Sequence, residues 1–470
     1  MIDAIKKSPL NFAFYVISLV LCFVVFKQSD LTHTYTSSYA YLNGHFYDFY
    51  DYNRPYMVRN DYLPLMYAIF ALWNLPLKLF GLMTPADMGL AVWQVSTPLE
   101  IMWSKLLLST FFFGCVVMLS KITQLIDPNQ DGKDVSPAIL FATSPIAIFA
   151  VFIFSQYDVI GVFFTLTGIY FYFQKKFLRF AFFFSIAISF KYFACFIYLP
   201  LVLIIEKRPL HLIKYGLIGI LVTALQIGAY WHSDVFQTSF FALAGDKTGE
   251  AMHRGKAIYI ALLYALLCGY AYLSKVKLTL MESTWTASAI LICTLAYGLM
   301  FSLVRWHPQW LLILMPFFAL SILYIRHQKA LIALELLAYI AFIWLCVNGW
   351  AKNVDVTMVQ EGSLREYIPT LTYFGADVLS PQGESLARII FYVYLFSPFI
   401  FWFCENRALV KIRLKKWLVK VQSAPQITGD SVLDQGGVKE IDFRGLLTLR
   451  ILIGGYFFLA ITLICLYRSS

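Results

Sequence analysis

"LNFAFYVISLVLCFVVF" (Leu10–Phe26) decides the fold class, because it is an apolar run long enough to cross most of a ~30 Å hydrocarbon core as a helix. Such runs recur along the 470 residues, which are 60% hydrophobic and 18% aromatic with a mean hydropathy of +0.69. A soluble chain of this size could not bury so much apolar surface. The runs are continuous rather than alternating, which excludes a β-barrel. The sequence therefore predicts an all-α, polytopic membrane protein of about 12–14 spans. Lys6 and Lys7 precede the first run as in a signal peptide, but no small-x-small site comes before Asp30, so this run is expected to stay as a span. The net charge of +10 fits Lys and Arg gathered in cytoplasmic loops better than nucleic-acid binding.

Loop charge sets the expected orientation. Glu206–Lys214, Lys275–Lys277, Arg326–Lys329 and Glu405–Lys420 are basic, the last with six Lys/Arg against one acid. The loops between them are less so; Ala351–Leu386 has five acids and two bases and is expected to hold short surface helices. Basic loops go inside, which puts loops 28–62, 231–255, 304–310 and 350–387 outside and 405–446 inside. Ser29–Leu65 and Arg305–Trp310 should thus share one aqueous side. Simple counting places Ser155–Asp158 inside and Gln174–Arg179 outside, against the charge rule. A dipping helix, or a break near Lys191, would reverse both. The eight cysteines lack CxxC spacing and read as packing residues, with no metal site. No repeat and no soluble domain is visible, so residues 1–230 and 231–470 are taken as two membrane modules.

The stretch after the first run, "SDLTHTYTSSYAYLNGHFYDFYDYNRPYMVRNDYLPL" (Ser29–Leu65), holds four aspartates, two arginines and ten Tyr or Phe. Asp30 lies where the backbone leaves the membrane; it is either a solvated helix-end carboxylate or a partly desolvated general base. Asp48 and Asp51 compete for that catalytic role. Carboxylates interleaved with aromatics suit a sugar, although alternation alone also describes an interfacial segment.

"RWHPQW" (Arg305–Trp310) is either a positive interfacial turn or a phosphate site, with Arg305 as a fork donor and His307 as a second donor. Lys191, in "ISFKYFACFIYLP", and Asp158, in "FSQYDVIG", interrupt apolar runs; snorkelling is the plain alternative for the lysine. P-loop, GxGxxG, HExxH and GxSxG patterns are missing, which disfavours nucleotide-sugar donors and common hydrolases.

In this order the segments resemble the GT-C superfamily of polytopic glycosyltransferases, including GPI-anchor mannosyltransferases and bacterial polyprenyl-phosphomannose-dependent enzymes. The carriers are the opening Asp30 loop, "YLPL" (Tyr62–Leu65) as the start of the second span, "FSQYDVIG…SFKYFACFIYLP" (Phe154–Pro200) and "WHPQWLLILMPF" (Trp306–Phe317). The resemblance covers roughly residues 8–330; one proline in "YLPL" and Asp in "SQYD" depart from the usual pattern. It implies that residues 1–230 are the catalytic membrane module and 231–470 a variable one. It further implies hexose transfer from a polyprenyl-phosphate donor to a glycan or glycolipid acceptor, by inverting displacement outside the membrane, with the first-loop Asp as base. The expected substrate-binding set is Arg305, His307, Gln309, Arg59, Tyr62, Gln156, Asp158 and Lys191. No cofactor is required, because cations can hold the leaving phosphate, though a divalent metal is compatible. A transporter or flippase of a lipid-linked glycan is the alternative, but it should show repeats and midplane charges; a scaffold would need no polar constellation. The absence of N-x-S/T sequons leans toward a bacterial plasma membrane over the endoplasmic reticulum.

Overall fold

The computed structural model describes residues 9–54, 62–83, 96–128, 136–241, 256–274, 282–303, 308–345, 362–364 and 381–420, with positions 448, 450 and 452. Among them every regular element is a helix. Four helices among the described residues are long and apolar enough to cross a membrane: Pro98–Ile126, Pro209–Tyr230, Trp285–Ser302 and Ser385–Asn406. The remaining apolar helices are shorter or broken, and the breaks carry the polar residues of interest.

Helix α1 (Pro9–Val25) meets the helical stretch Asp30–Leu42 at a 68° bend. The tyrosine-rich segment expected as a loop is therefore largely helical, as α2 (Ser29–Ser37), α3 (Tyr39–Leu42) and α4 (Phe49–Asn53). Gln28 caps α2, its side-chain oxygen accepting the Asp30 N–H at 2.6 Å. Tyr35, Tyr39, Tyr41 and Tyr50 are buried, so half of the segment's eight tyrosines are core rather than ligand surface. Helix α5 (Pro64–Leu79), read from sequence as a second span, packs along α2 and α3; Asn74 donates to Ser38 Oγ at 3.3 Å and Lys78 to Asn43 Oδ1 at 3.2 Å.

Helix α6 (Pro98–Ile126) opens with a reciprocal cap between Thr97 and Glu100, and Glu100 also accepts from Tyr39 Oη at 2.6 Å. The chain returns through α7 (Pro137–Ala142), α8 (Pro145–Ile148) and a π-helical turn, Phe149–Ile153. Next come α9 (Asp158–Phe173) and α10 (Phe177–Phe190), a hairpin. Gly168 makes that hairpin tight, since a Cβ there would sit 2.5 Å from the Phe184 ring. After Lys191 the chain continues as α11 (Cys195–Ile205), α12 (Pro209–Tyr230), α13 (Lys256–Leu273) and α14 (Glu282–Leu303). A 3₁₀ turn (Pro308–Ile313) then leads into α15 (Met315–Ser321), α16 (Gln328–Leu345) and α17 (Pro381–Lys420).

Two ends of the bundle emerge from these contacts. One gathers Asp30, Tyr62, Gln156, Lys191 and Trp310. The other gathers the Gln174–Lys176 turn, Lys207 beside Ala271, Trp285 beside Tyr172, and Arg326 and His327 beside Glu405. Ser155–Asp158 and Gln174–Arg179 therefore lie at opposite ends of α9, and the chain breaks at Lys191, whose backbone is extended (φ −149°, ψ 110°). Among the cysteines, Cys22, Cys115 and Cys293 are buried packing residues and Cys404 is exposed.

Candidate functional site

The site is built where three helix breaks meet. Lys105, buried on α6, donates to three backbone carbonyls: Cys22 O at 3.0 Å, Phe26 O at 2.6 Å and Phe152 O at 2.8 Å. Two of these are carbonyls at the C-terminal end of α1, and the third is in the π turn. One ammonium thus ties the end of α1 to the segment that leads into Gln156. Ser155 then takes a left-handed backbone (φ 61°), costly for a non-glycine residue, and redirects the chain. As a result Gln156 Nε2 reaches Asp30 Oδ2 at 3.5 Å, the outer limit of a hydrogen bond.

Two residues on, Asp158 is fully buried and pairs with Lys191 Nζ at 3.0 Å. The lysine ammonium is also 5.3 Å from the ring centroids of both Tyr62 and Trp310 and 5.7 Å from Phe193. The end of the tyrosine-rich segment, the hairpin base and the "PQW" turn therefore converge on one cation. Tyr62 stacks edge-on with Tyr157 at 5.0 Å, and their hydroxyls hydrogen-bond. Loss of hydration, then the charges of Asp158 and Asp30, push the Tyr62 phenol well above its usual range, so it remains neutral.

Several buried polar atoms around this point have room for another partner. Beyond Lys191, neither Asp158 oxygen has a hydrogen-bond partner among the described residues; the Tyr297 hydroxyl and Gln309 Oε1 have none. Asp158, Lys191 and Tyr297 line one small cavity that runs down α9 past Gly161 and Thr165. Buried polar atoms are ordinarily satisfied, so this cluster is one that a water-sized polar partner would complete.

Of the residues expected from sequence, the structure brings together Asp30, Tyr62, Gln156, Asp158 and Lys191, with Gln309 buried beside Trp310. Asp48 and Asp51 are exposed and stand apart on α4 and the turn before it. The hydrogen bond from His45 (2.9 Å) holds the Asp48 carboxyl below its usual range. Arg59, Arg305 and His307 lie outside the described residues. Sequence reasoning missed Lys105, Tyr157 and Tyr297. The lysine in "WSKLLLS" was detectable as a charge within an apolar run; the tyrosines carry no such signal. No group of His, Cys, Asp and Glu suited to a metal occurs among the described residues.

Comparison with known protein families, characterised proteins and solved structures finds no match to the chain.

Proposed function

We propose that the protein is a GT-C-like membrane glycosyltransferase that moves a hexose from a polyprenyl-phosphate donor to a glycan or glycolipid acceptor outside the membrane. The observation carrying this reading is the approach of Asp30, through Gln156 at 3.5 Å, to the turn that presents the Asp158–Lys191 pair. A base and a cation then flank one space at the end of the bundle. Asp30 takes the proton of the acceptor hydroxyl while that oxygen attacks the anomeric carbon from the face opposite the phosphate. The bond from that carbon to the phosphate oxygen breaks, and polyprenyl phosphate leaves with the electron pair, next to Lys191. Inversion follows from the single displacement.

Asp158 and Tyr62 have oxygens suited to sugar hydroxyls, and Gln309 stands beside the phosphate side of the cluster. Arg305 and His307 are proposed to add positive charge to the leaving group. The 12–14 crossings would then comprise the four long helices together with the short and broken ones. The basic end of the bundle would face the cytoplasm of a bacterial cell, or of a cell whose endoplasmic reticulum houses the protein.

The test is purified protein in liposomes with polyprenyl-phosphate mannose, glucose, galactose or arabinose, scored by release of free polyprenyl phosphate and by the anomeric configuration of the product. No release from any donor rejects the proposal. Net retention rejects the single displacement.

A further inference from the structure

Beyond the Asp30 cluster, the same end carries a second polar and aromatic surface. Residues 44–48 form a turn that begins at Gly44 (φ +91°), a conformation that favours glycine. The turn projects Phe46 and Tyr47, which are 64% and 71% exposed. It is not loose. Tyr230 Oη donates to Phe46 O at 2.5 Å, and its remaining lone pairs accept from Tyr41 Oη at 2.9 Å. Beneath lies a separate aromatic core of Tyr41, Phe49, Tyr50, Tyr67, Tyr230 and Phe236. The Tyr47 ring is stacked on His232, with centroids 3.8 Å apart and an interplanar angle of 8°, and His232 Nε2 lies 3.1 Å from Tyr47 O. The exposed aromatic pair is thus held by its own stacking and hydrogen bonds.

Its charge distinguishes it from a membrane-surface anchor. Residues 41–53 and 230–241 contain three carboxylates, Asp48, Asp51 and Asp234, which outnumber the two adjoining cations, Arg54 and the Lys78 ammonium bonded to Asn43. All three are exposed. Carboxylates repel the phosphate groups of lipid headgroups. Beside flat rings they suit a neutral ring rich in hydroxyls, which offers C–H faces to aromatics and O–H donors to acids.

We propose that Phe46, Tyr47 and His232 form a stacking subsite for a neutral pyranose unit of a glycan, with Asp48 accepting from its hydroxyls. This rests on the glycosyltransferase reading only in identifying that glycan as the acceptor. Being built on a fixed aromatic core, the subsite loses little conformational freedom on binding.

Binding is measured apart from transfer, so the two proposals fail separately. Protein in nanodiscs is titrated with mannotetraose, maltotetraose and cellotetraose, read by saturation-transfer NMR. At least one should bind saturably; Tyr47→Ala and Phe46→Ala should each weaken it about two- to tenfold, the range for loss of an aromatic contact. A Tyr47→Phe control keeps the ring and should bind as the parent does, which separates stacking from folding. Absence of saturable binding by all three sugars, or equal affinity in Tyr47→Ala, overturns the proposal. So does a nitroxide at Phe46→Cys, in a Cys404→Ser background, that is accessible to oxygen but not to a nickel chelate, since the turn would then sit among acyl chains.

Discussion

Asp158 begins helix α9, Lys191 ends helix α10, and the two side chains close the base of that hairpin with an ion pair at 3.0 Å. The partners are not equally supported. The ammonium also lies near three aromatic rings, whereas the carboxylate has no other hydrogen-bond partner among the described residues. Lys191→Met should therefore cost more stability than Asp158→Asn. Stranding a buried charge costs ~3–5 kcal/mol, limited here by protonation of the carboxylate. Joining Lys191→Met to Asp158→Leu should recover most of the stability but not transfer. Thermal unfolding in detergent checks the order; equal losses would mean that the rings contribute nothing to Lys191.

Lys105 makes a different test, because its role is to hold backbone rather than charge. Lys105→Met removes one donor from each of three backbone carbonyls, and a buried carbonyl left unsatisfied costs ~1–3 kcal/mol. Melting temperature should fall clearly. In any folded fraction the Asp30–Gln156 approach should loosen, lowering transfer with little change in donor affinity. Wild-type turnover in a folded Lys105→Met protein would break the link between this lysine and the site.

The contrast between these lysines explains what was legible in the sequence. Lys191 stood out because it interrupts an apolar run beside aromatic residues, and Asp158 for the same reason. Their pairing across a hairpin was not legible, since it depends on α9 and α10 being short enough to return within the membrane depth. Asp30 was legible from its position after the first apolar run. The burial of Tyr35, Tyr39, Tyr41 and Tyr50 was not: period alone does not separate an amphipathic surface segment from one folded back on the bundle at a 68° bend. Helix breaks at Thr143–Ser144, Ser155 and Lys191 disguised the number of crossings, because span counting assumes continuous helices.

At the opposite end, Glu206 gives a pH prediction. Its carboxylate accepts from the Arg208 guanidinium at 3.0 and 3.1 Å and from the backbone N–H groups of Lys207 and Arg208, which lowers its pKa to about 2 from a usual 4.5. A depressed carboxyl pKa stabilises the fold above the unfolded value and stops doing so as pH falls through the folded one. The melting-temperature gap between wild type and Glu206→Gln should thus be flat down to about pH 5 and shrink between about 4.5 and 2. The gap should be small, as Arg208 is largely exposed. A gap that widened on acidification would contradict the hydrogen-bonded arrangement.

The two ends give a test of the proposed sidedness. Asn43, at the Asp30 end, and Lys175, at the hairpin tip, are both exposed. In intact cells Asn43→Cys should take an impermeant maleimide above the parent's background, and Lys175→Cys only after permeabilisation. Labelling of both from outside would contradict a membrane lying between these positions.

The assignment of the base rests on Asp30 and not on Asp48 or Asp51. Asp30 is partly buried, next to Gln156, and its charge reaches Tyr62 and Tyr157. Asp48 is exposed, and the His45 hydrogen bond lowers its proton affinity further, which makes it a weaker base. Asp30→Asn should therefore cut transfer about 10²–10⁴-fold, the usual cost of losing a general base. The amide keeps the size of the carboxylate and an oxygen to accept from Gln156, so melting temperature and affinity for free polyprenyl phosphate should stay near wild type. Asp48→Asn and Asp51→Asn should change kcat by no more than about twofold; a subsite role for Asp48 would appear in the acceptor KM instead. Collapse of kcat in Asp48→Asn with activity retained in Asp30→Asn would move the chemistry to the aromatic turn.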